Sequence, residues 1–285
     1  MTIFGPRSFR AVWWSCNLLL ITALLTLVYA GAWEFSVRRY LRGFSDAIVP
    51  VAATPAQKTE AILGWMRSGP PRPVAVNPSA LSSRDPETTL NFQQLLTVCG
   101  SATNAFLNLS ESAGLKARRL LLLGPDRLAK HVVAEVQVED KWIVVDPAYR
   151  LAMRDAKGRF VTRQELQDPQ VFAEATNGVA NYSSGYTFER IAHVRMPHLP
   201  LIGFGLRRVF DAIYPGWEES LDWNLLLERK SFLVLTASAA AVVCLLILRA
   251  ILGWYADHQL RIPRFHFLEH AWRAGAAFFS TPEIK

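Results

Sequence analysis

His131-Val132-Val133-Ala134-Glu135-Val136-Gln137-Val138 and Lys141-Trp142-Ile143-Val144-Val145-Asp146 flank the dipeptide Glu139-Asp140. Both runs are rich in Val and Ile, and a polar pair between two such runs reads as a β-hairpin. With a two-residue turn at Glu139-Asp140, opposed residues have numbers that sum to 279, so Val133 faces Asp146 and His131 faces Ala148. His131 and Asp146 then point to the same face as diagonal neighbours, about 7 Å apart before their side chains extend. A turn one residue earlier, at Val138-Glu139, pairs them directly, whereas a three-residue loop puts them on opposite faces. In the first register Val132, Ala134 and Val136 face the core, while His131, Val133 and Glu135 share the face that carries the chemistry.

Upstream of the hairpin, residues 120–123 are a continuous apolar run that reads as a buried strand closed by Gly124-Pro125-Asp126. Before it, Val98, Ala102, Ala105, Phe106, Leu109 and Ala113 form the stripe of one helix face, and Gly114 follows as a left-handed stop. The order helix, strand, strand, strand predicts an α+β domain, an antiparallel sheet packed on a helix. Residues 60–66 suit a short helix, and the Pro-rich stretch Ser68-Gly69-Pro70-Pro71-Arg72-Pro73 must be a loop. Asp85-Pro86-Glu87 can start a helix through Leu90 and Leu95, with Pro at the first helical position. Downstream, Asp155-Ala156-Lys157-Gly158-Arg159 reads as a turn, and Thr162 to Leu166 as a capped short helix beginning at Thr162. Residues 197–223 are rich in aromatics, Gly and Pro, and could lie on a membrane surface or cover part of the domain.

Two apolar stretches bracket this region. Residues 12–33 carry no charge over 22 positions, enough to cross a bilayer, and are preceded by Arg7 and Arg10. They read either as a retained anchor or as a signal peptide, since Ala30-Gly31-Ala32 has the form of a cleavage site. Residues 232–248 are uncharged between Glu228-Arg229-Lys230 and Arg249, and residues 250–255 extend the apolar run. The expected organisation is residues 1–11 as a cytoplasmic N-terminus, 12–33 and 231–254 as transmembrane helices, 34–230 as one extracytoplasmic domain with its core at about 85–190, and 255–285 as a cytoplasmic tail. The basic tail, with Arg249, Arg261, Arg264, Arg273 and Lys285, sets that orientation in the plasma (inner) membrane. The net charge of +7 is scattered, with no dense basic run, which argues against nucleic acid and for anionic lipid headgroups.

Cys16 and Cys244 fall in the apolar stretches, so Cys99 is the lone exported thiol, without a partner for a disulfide. At the start of a helix a thiol meets free N–H groups and the positive end of the dipole, which favour the thiolate. Cys99 also lies one residue off the apolar stripe, unlike a buried cysteine. Of the histidines in this region, His193 and His198 sit in a Pro-containing stretch and are expected at the surface. His131 is the candidate base and Asp146 the residue that orients it. His266 and His270 are four apart but lack a third ligand, so no metal site is expected, and no phosphate loop or other cofactor motif appears.

Cys99-Gly100 opening a helix, Gly114-Leu115-Lys116-Ala117-Arg118 ending it, His131 with Glu135, and Trp142 through Asp146-Pro147 together resemble the core of the transglutaminase-like superfamily. The resemblance covers about residues 85–150. It implies a papain/transglutaminase-like arrangement with Cys99 as nucleophile, His131 as base and Asp146 as its orienting acid, forming a thioester at a peptide or amide carbonyl. Members often have an aromatic residue soon after the histidine, where this chain has Val132 and Val133. Gln93 has the spacing of a papain-like oxyanion donor and Gln94 is adjacent, so either can supply it; Arg118 is expected to be structural. The implied partners are a peptide or protein amide, membrane lipid and proteins of the envelope. Water or an amine would resolve the thioester. The alternative is a module that binds peptide or supports an envelope assembly without catalysis.

Overall fold

The computed structural model describes residues 6–72, 83–126, 128–193, 203–215, 217, 224–261, 272 and 276. Two compact units emerge, one formed by residues 29–235 and the other by residues 1–28 together with 236–285.

The larger unit begins within α1 (Pro6–Ile48) and continues with α2 (Pro55–Arg67), α3 (Pro86–Asn91) and α4 (Cys99–Ser112). The strands are β1 (Ala117–Leu123), β2 (Ala129–Val138), β3 (Lys141–Asp146), β4 (Leu151–Ala152) and β5 (Ile191–Ala192), with α5 (Pro169–Ala175) between the last two. After them come α6 (Gly203–Ile213), α7 (Asn224–Glu228) and α8 (Lys230–Tyr255), which leads out of this unit. The sheet is antiparallel in the order β4-β3-β2-β1-β5.

The β2–β3 hairpin has the two-residue turn, since Val138 pairs with Lys141 and Gln137 with Trp142. Glu139 sits in the left-handed region at φ 55°, which the tight turn requires. Ala134 and Val136 face α4, packing with Ala102, Ala105, Phe106 and Leu109. The opposite face is a second core and not an open surface: Val133, Val144, Leu120 and Leu122 pack there against Met153, Val161, Leu166 and Phe188. The chain after β3 folds back over that face, and its apolar residues are too widely spaced to have announced this. Each fully buried large apolar side chain contributes about 1.5–3 kcal/mol, so the hairpin register is held from both sides.

Other elements depart from the sequence expectations. The helix from Pro86 stops at Asn91, and Gln93–Thr97 is a 3₁₀ turn. Asp85 caps α3 through the Glu87 N–H, but six residues are too short to carry the helix to Leu95. Thr162 and Glu165 exchange the expected capping hydrogen bonds, yet only the 3₁₀ turn Glu165–Gln167 follows. The strand expected at residues 120–123 begins earlier, at Ala117, so Arg118 lies within it. At the end of α4, Gly114 has φ 74°, the Leu115 N–H returns to the Ser110 carbonyl, and Lys58 Nζ donates to the Ala113 carbonyl at 2.7 Å.

α4 also carries buried polar residues, which must be satisfied internally. Asn104 and Asn108 donate to the Glu228 backbone carbonyl at 2.7 and 3.2 Å, and the Glu228 carboxylate takes both Nε and an Nη of Arg119. Next to it, Arg229 binds Glu34 at 2.9 Å, Glu111 at 2.6 Å and Asn108 at 3.1 Å. Arg119, Glu228, Arg229 and Glu34 are each less than 5% exposed. Removing one member of such a pair leaves a buried charge uncompensated, so Glu228→Ala is expected to destabilise the domain by about 3–5 kcal/mol. Arg119→Met combined with Glu228→Leu should recover most of that loss in a thermal unfolding series.

In the smaller unit, α1 and α8 run side by side in opposite directions: Phe9 meets Tyr255 with ring centroids 6.4 Å apart, and Cys16 lies against the Leu245 carbonyl. Arg249 Nε donates to Asn17 Oδ1 at 2.9 Å. Both helices are long and apolar enough to cross a membrane. Trp14, Leu18, Leu25, Val28, Leu246, Ile247, Ile251 and Trp254 are all exposed on them, an apolar surface suited to lipid.

Candidate active site

Cys99 is the first residue of α4. Val98 before it is extended, at φ −92° and ψ 120°, and has no side chain that can cap the helix. The first helical hydrogen bond runs from the Ala102 N–H to the Val98 carbonyl at 2.9 Å, so the N–H groups of Cys99, Gly100 and Ser101 precede the helical ladder. One turn on, Thr103 Oγ1 donates to the Val132 carbonyl at 3.1 Å, fastening the start of α4 to the residue after His131. Arg119 donates to the Gly100 carbonyl at 3.3 Å from the other side.

His131 is 1% exposed and its Nε2 lies 2.6 Å from Asp146 Oδ2. Asp146 is fully buried and oriented on both oxygens. Oδ1 accepts from the backbone N–H groups of Ala148 and Tyr149 at 3.0 and 3.1 Å, and Oδ2 also accepts from Tyr182 Oη at 3.0 Å. The Pro147 turn supplies those two N–H groups, which is why the strand-ending aspartate points inward. Three tyrosines enclose the imidazole. Tyr186 stacks on it with centroids 4.3 Å apart and planes 6° from parallel, and Tyr149 and Tyr182 meet it edge-on at 5.9 and 6.3 Å. With Nε2 held by Asp146, Nδ1 is buried without a partner at hydrogen-bond geometry among the described residues. It is the nitrogen left for Cys99.

The electrostatics suit a thiolate–imidazolium pair. Burial pushes the Cys99 thiol up, but the neighbouring His131 imidazolium and the Arg72 guanidinium outweigh burial and leave the pKa below the ordinary value. Burial likewise opposes charge on His131, yet the carboxylate and hydrogen bond of Asp146, with Cys99 adding, carry its pKa up to about 9. Burial raises Tyr149 to about 12 and Tyr182 well above its usual range, so both phenols stay protonated as donors at neutral pH.

His131 and Asp146 are therefore brought together on one sheet face, and Cys99 at the start of α4 lies beside the imidazole. Gln93 and Gln94 open the 3₁₀ turn that leads to Cys99; Gln93 is half-buried against Gly69 and Gln94 is exposed. Glu135, Arg118 and Trp142 stand on the same sheet face as His131 but nearer the hairpin turn. There Arg118 binds Glu135 at 2.7 Å and lies 4.2 Å over the Trp142 ring, a structural cluster away from the thiol. His193, expected at the surface, is 7% exposed, because β5 adds to the edge of β1 and its Nδ1 meets the Arg119 carbonyl at 2.7 Å. His198, His266 and His270 lie outside the described residues, and no metal-binding cluster occurs among those described. The sequence reading missed Tyr149, Tyr182, Tyr186 and Arg72. Tyr149 follows Asp146 by three residues and could have been found from the turn; the others carry no local signal.

Residues 42–147 match the family model of the transglutaminase-like superfamily, so the chain carries a domain of that superfamily, which in general comprises papain-like cysteine enzymes. The match starts well before the resemblance seen around Cys99 and takes in the end of α1 and all of α2. No curated protein and no solved structure matches the chain.

Proposed function

We propose that this protein is a membrane-anchored cysteine enzyme that opens a peptide or amide carbonyl through a thioester on Cys99. The observation that carries the reading is the meeting of a thiol at a helix start with an imidazole whose other nitrogen is fixed 2.6 Å from a buried carboxylate. The Cys99 sulfur attacks the carbonyl carbon, the developing oxyanion takes the Cys99 N–H, and the His131 imidazolium gives its proton to the leaving nitrogen as the C–N bond breaks. Water, or an amine, then attacks the thioester with His131 accepting its proton, and the thiolate leaves. Gln93 or Gln94, at the start of the turn that leads to Cys99, would supply the second oxyanion donor, worth about 3 kcal/mol in the transition state.

The two apolar helices support anchoring in the plasma membrane. Their opposite directions keep both chain ends on one side, and the basic tail favours the cytoplasm for that side, with the domain outside. A binding module has no need for an oriented histidine, which makes the non-catalytic reading the weaker one. The test is to incubate the protein in nanodiscs with a mixture of tryptic peptides and a primary amine tag, then to read new termini and tagged products by mass spectrometry. Products formed by the wild type and absent with Cys99→Ala support catalysis and tell hydrolysis from transfer. Identical peptide pools from both proteins would favour the binding module.

His131 also sets the pH dependence. Its folded pKa of about 9 lies above the ordinary 6.5, so its charge contributes stability fully below about 6.5 and that contribution is lost as pH rises through about 9. Turnover needs the same proton for the leaving group. kcat/KM is expected to fall on the alkaline side with an apparent pKa near 9, read between pH 6 and 10.5. A profile still rising through pH 10 would show that the imidazolium is not the acid.

A further inference from the structure

From the position of Arg72 we infer a substrate class: an amide that carries a carboxylate close to the scissile carbonyl, held by the Arg72 guanidinium. This inference rests on Cys99 being the nucleophile. Arg72 lies on the Pro-rich loop after α2, and its guanidinium carbon sits 4.3 Å from the centre of the Tyr149 ring. Tyr149 in turn meets the His131 imidazole edge-on at 5.9 Å, so one ring separates the guanidinium from the base. Stacking on Tyr149 uses the face of the guanidinium and leaves its N–H edge free. Nη1 is buried and has no hydrogen-bond partner among the described residues. A buried cationic donor left unpaired is costly, and at a reactive site the missing partner is an anionic group of the ligand.

The loop is held in place by a dedicated contact. Arg150, 8% exposed and in the left-handed region at φ 60°, turns back from the end of β3 to donate to the carbonyls of Gly69 and Pro70. Arg67 Nε returns a hydrogen bond to the Arg150 carbonyl at 3.1 Å. The segment that follows Asp146 thus carries both Tyr149, on which Arg72 stacks, and Arg150, which fixes the loop bearing Arg72. Such a fixed fork suits a carboxylate, which accepts two N–H donors in one plane. The charge of Arg72 also reaches Cys99, Tyr149 and Tyr186, in keeping with a place beside the thiol.

Two thiol reagents of nearly equal size test the idea without a known substrate. Iodoacetate carries a carboxylate and iodoacetamide does not; in each case the Cys99 thiolate displaces iodide from carbon. Alkylation of Cys99 in the full-length protein is followed by mass spectrometry at pH 7. The ratio of the two rates cancels the thiolate fraction, on which Arg72 also acts. Arg72→Gln is expected to lower the iodoacetate-to-iodoacetamide ratio roughly tenfold, and Arg72→Lys, which keeps the charge but loses the fork, to give a ratio between the two. An unchanged ratio in Arg72→Gln, or an equal slowing of both reagents, overturns the carboxylate site while leaving Cys99 as nucleophile. Wild-type Cys99 resisting both reagents overturns the functional reading as well. The source of the carboxylate is then read from protection against iodoacetamide by three versions of one peptide: a free C-terminus, an amidated C-terminus, and an amidated C-terminus with a neighbouring Glu. Protection by the first alone assigns a terminal carboxylate, protection by the third an acidic side chain, and equal protection by all three contradicts carboxylate recognition.

Discussion

Replacing His131 with alanine is expected to lower turnover by about 10⁴-fold or more, close to the loss in Cys99→Ala. The imidazole does two things that no neighbour can take over. In the proposed mechanism it supports the thiolate through Nδ1, and it hands a proton to the leaving nitrogen. Tyr149 and Tyr182 surround it, but burial raises both phenols, so neither can act as a base near neutral pH. Because the two groups act as one unit, the double variant should lose little more than either single one. The alanine also opens a void beneath Tyr186, which stacks on the ring at 4.3 Å. His131→Gln fills more of that space, and the same loss of turnover in a variant that melts like the wild type assigns the effect to chemistry. Turnover within tenfold of wild type in either variant contradicts the role of base.

Asp146→Asn is expected to cost a comparable factor, about 10⁴ in turnover, with the fold largely kept. The reason lies in which side of the new amide can face which neighbour. Asp146 Oδ1 accepts two backbone N–H groups, from Ala148 and Tyr149, so an asparagine must keep its carbonyl oxygen there. Its NH₂ then occupies the place of Oδ2 and donates toward His131 Nε2. That nitrogen must become the acceptor, which moves the imidazole proton to Nδ1, the nitrogen that the proposed mechanism needs free to take the proton from Cys99. The charge that stabilises the imidazolium is lost as well. Tyr182 Oη can rotate to serve the amide through its lone pairs, so the cost in stability should be small beside the cost in rate. The imidazole ¹⁵N shifts in selectively labelled protein report the tautomer, and an unchanged tautomer with full turnover would rule out this orienting role.

What the sequence showed and what it hid divide along physical lines. The register that brings His131 to Asp146 was legible because a strand has a period of two, and one turn of defined length fixes every pair after it. Cys99 at a helix start was legible from its position one residue off the apolar stripe. Both signals are local. The buried pair of Arg119 and Glu228 joins residues 109 apart in sequence, and neither strand nor helix periodicity reaches that far. The surface placement expected for His193 failed for a similar reason: a two-residue strand, Ile191–Ala192, pairs with β1 and carries the next residue inward. Arg72 sits in a loop whose prolines announce only that helix cannot continue. Its place beside Tyr149 depends on Arg150 reaching back over some 80 residues to the Gly69 and Pro70 carbonyls. The second core on the hairpin's other face was not legible because the chain that covers it, from Met153 to Phe188, contributes widely spaced single apolar residues.

The central claim is that Cys99 is a thiolate activated by His131, and the rate of its alkylation by iodoacetamide between pH 4 and 10 tests this most directly. Cys99 should react faster at pH 7 than free cysteine does, with the midpoint of the profile below the ordinary thiol value, and His131→Ala should move that midpoint up and slow the reaction at pH 7. A midpoint at or above that of free cysteine, unchanged by His131→Ala, would mean that Cys99 is an ordinary buried thiol.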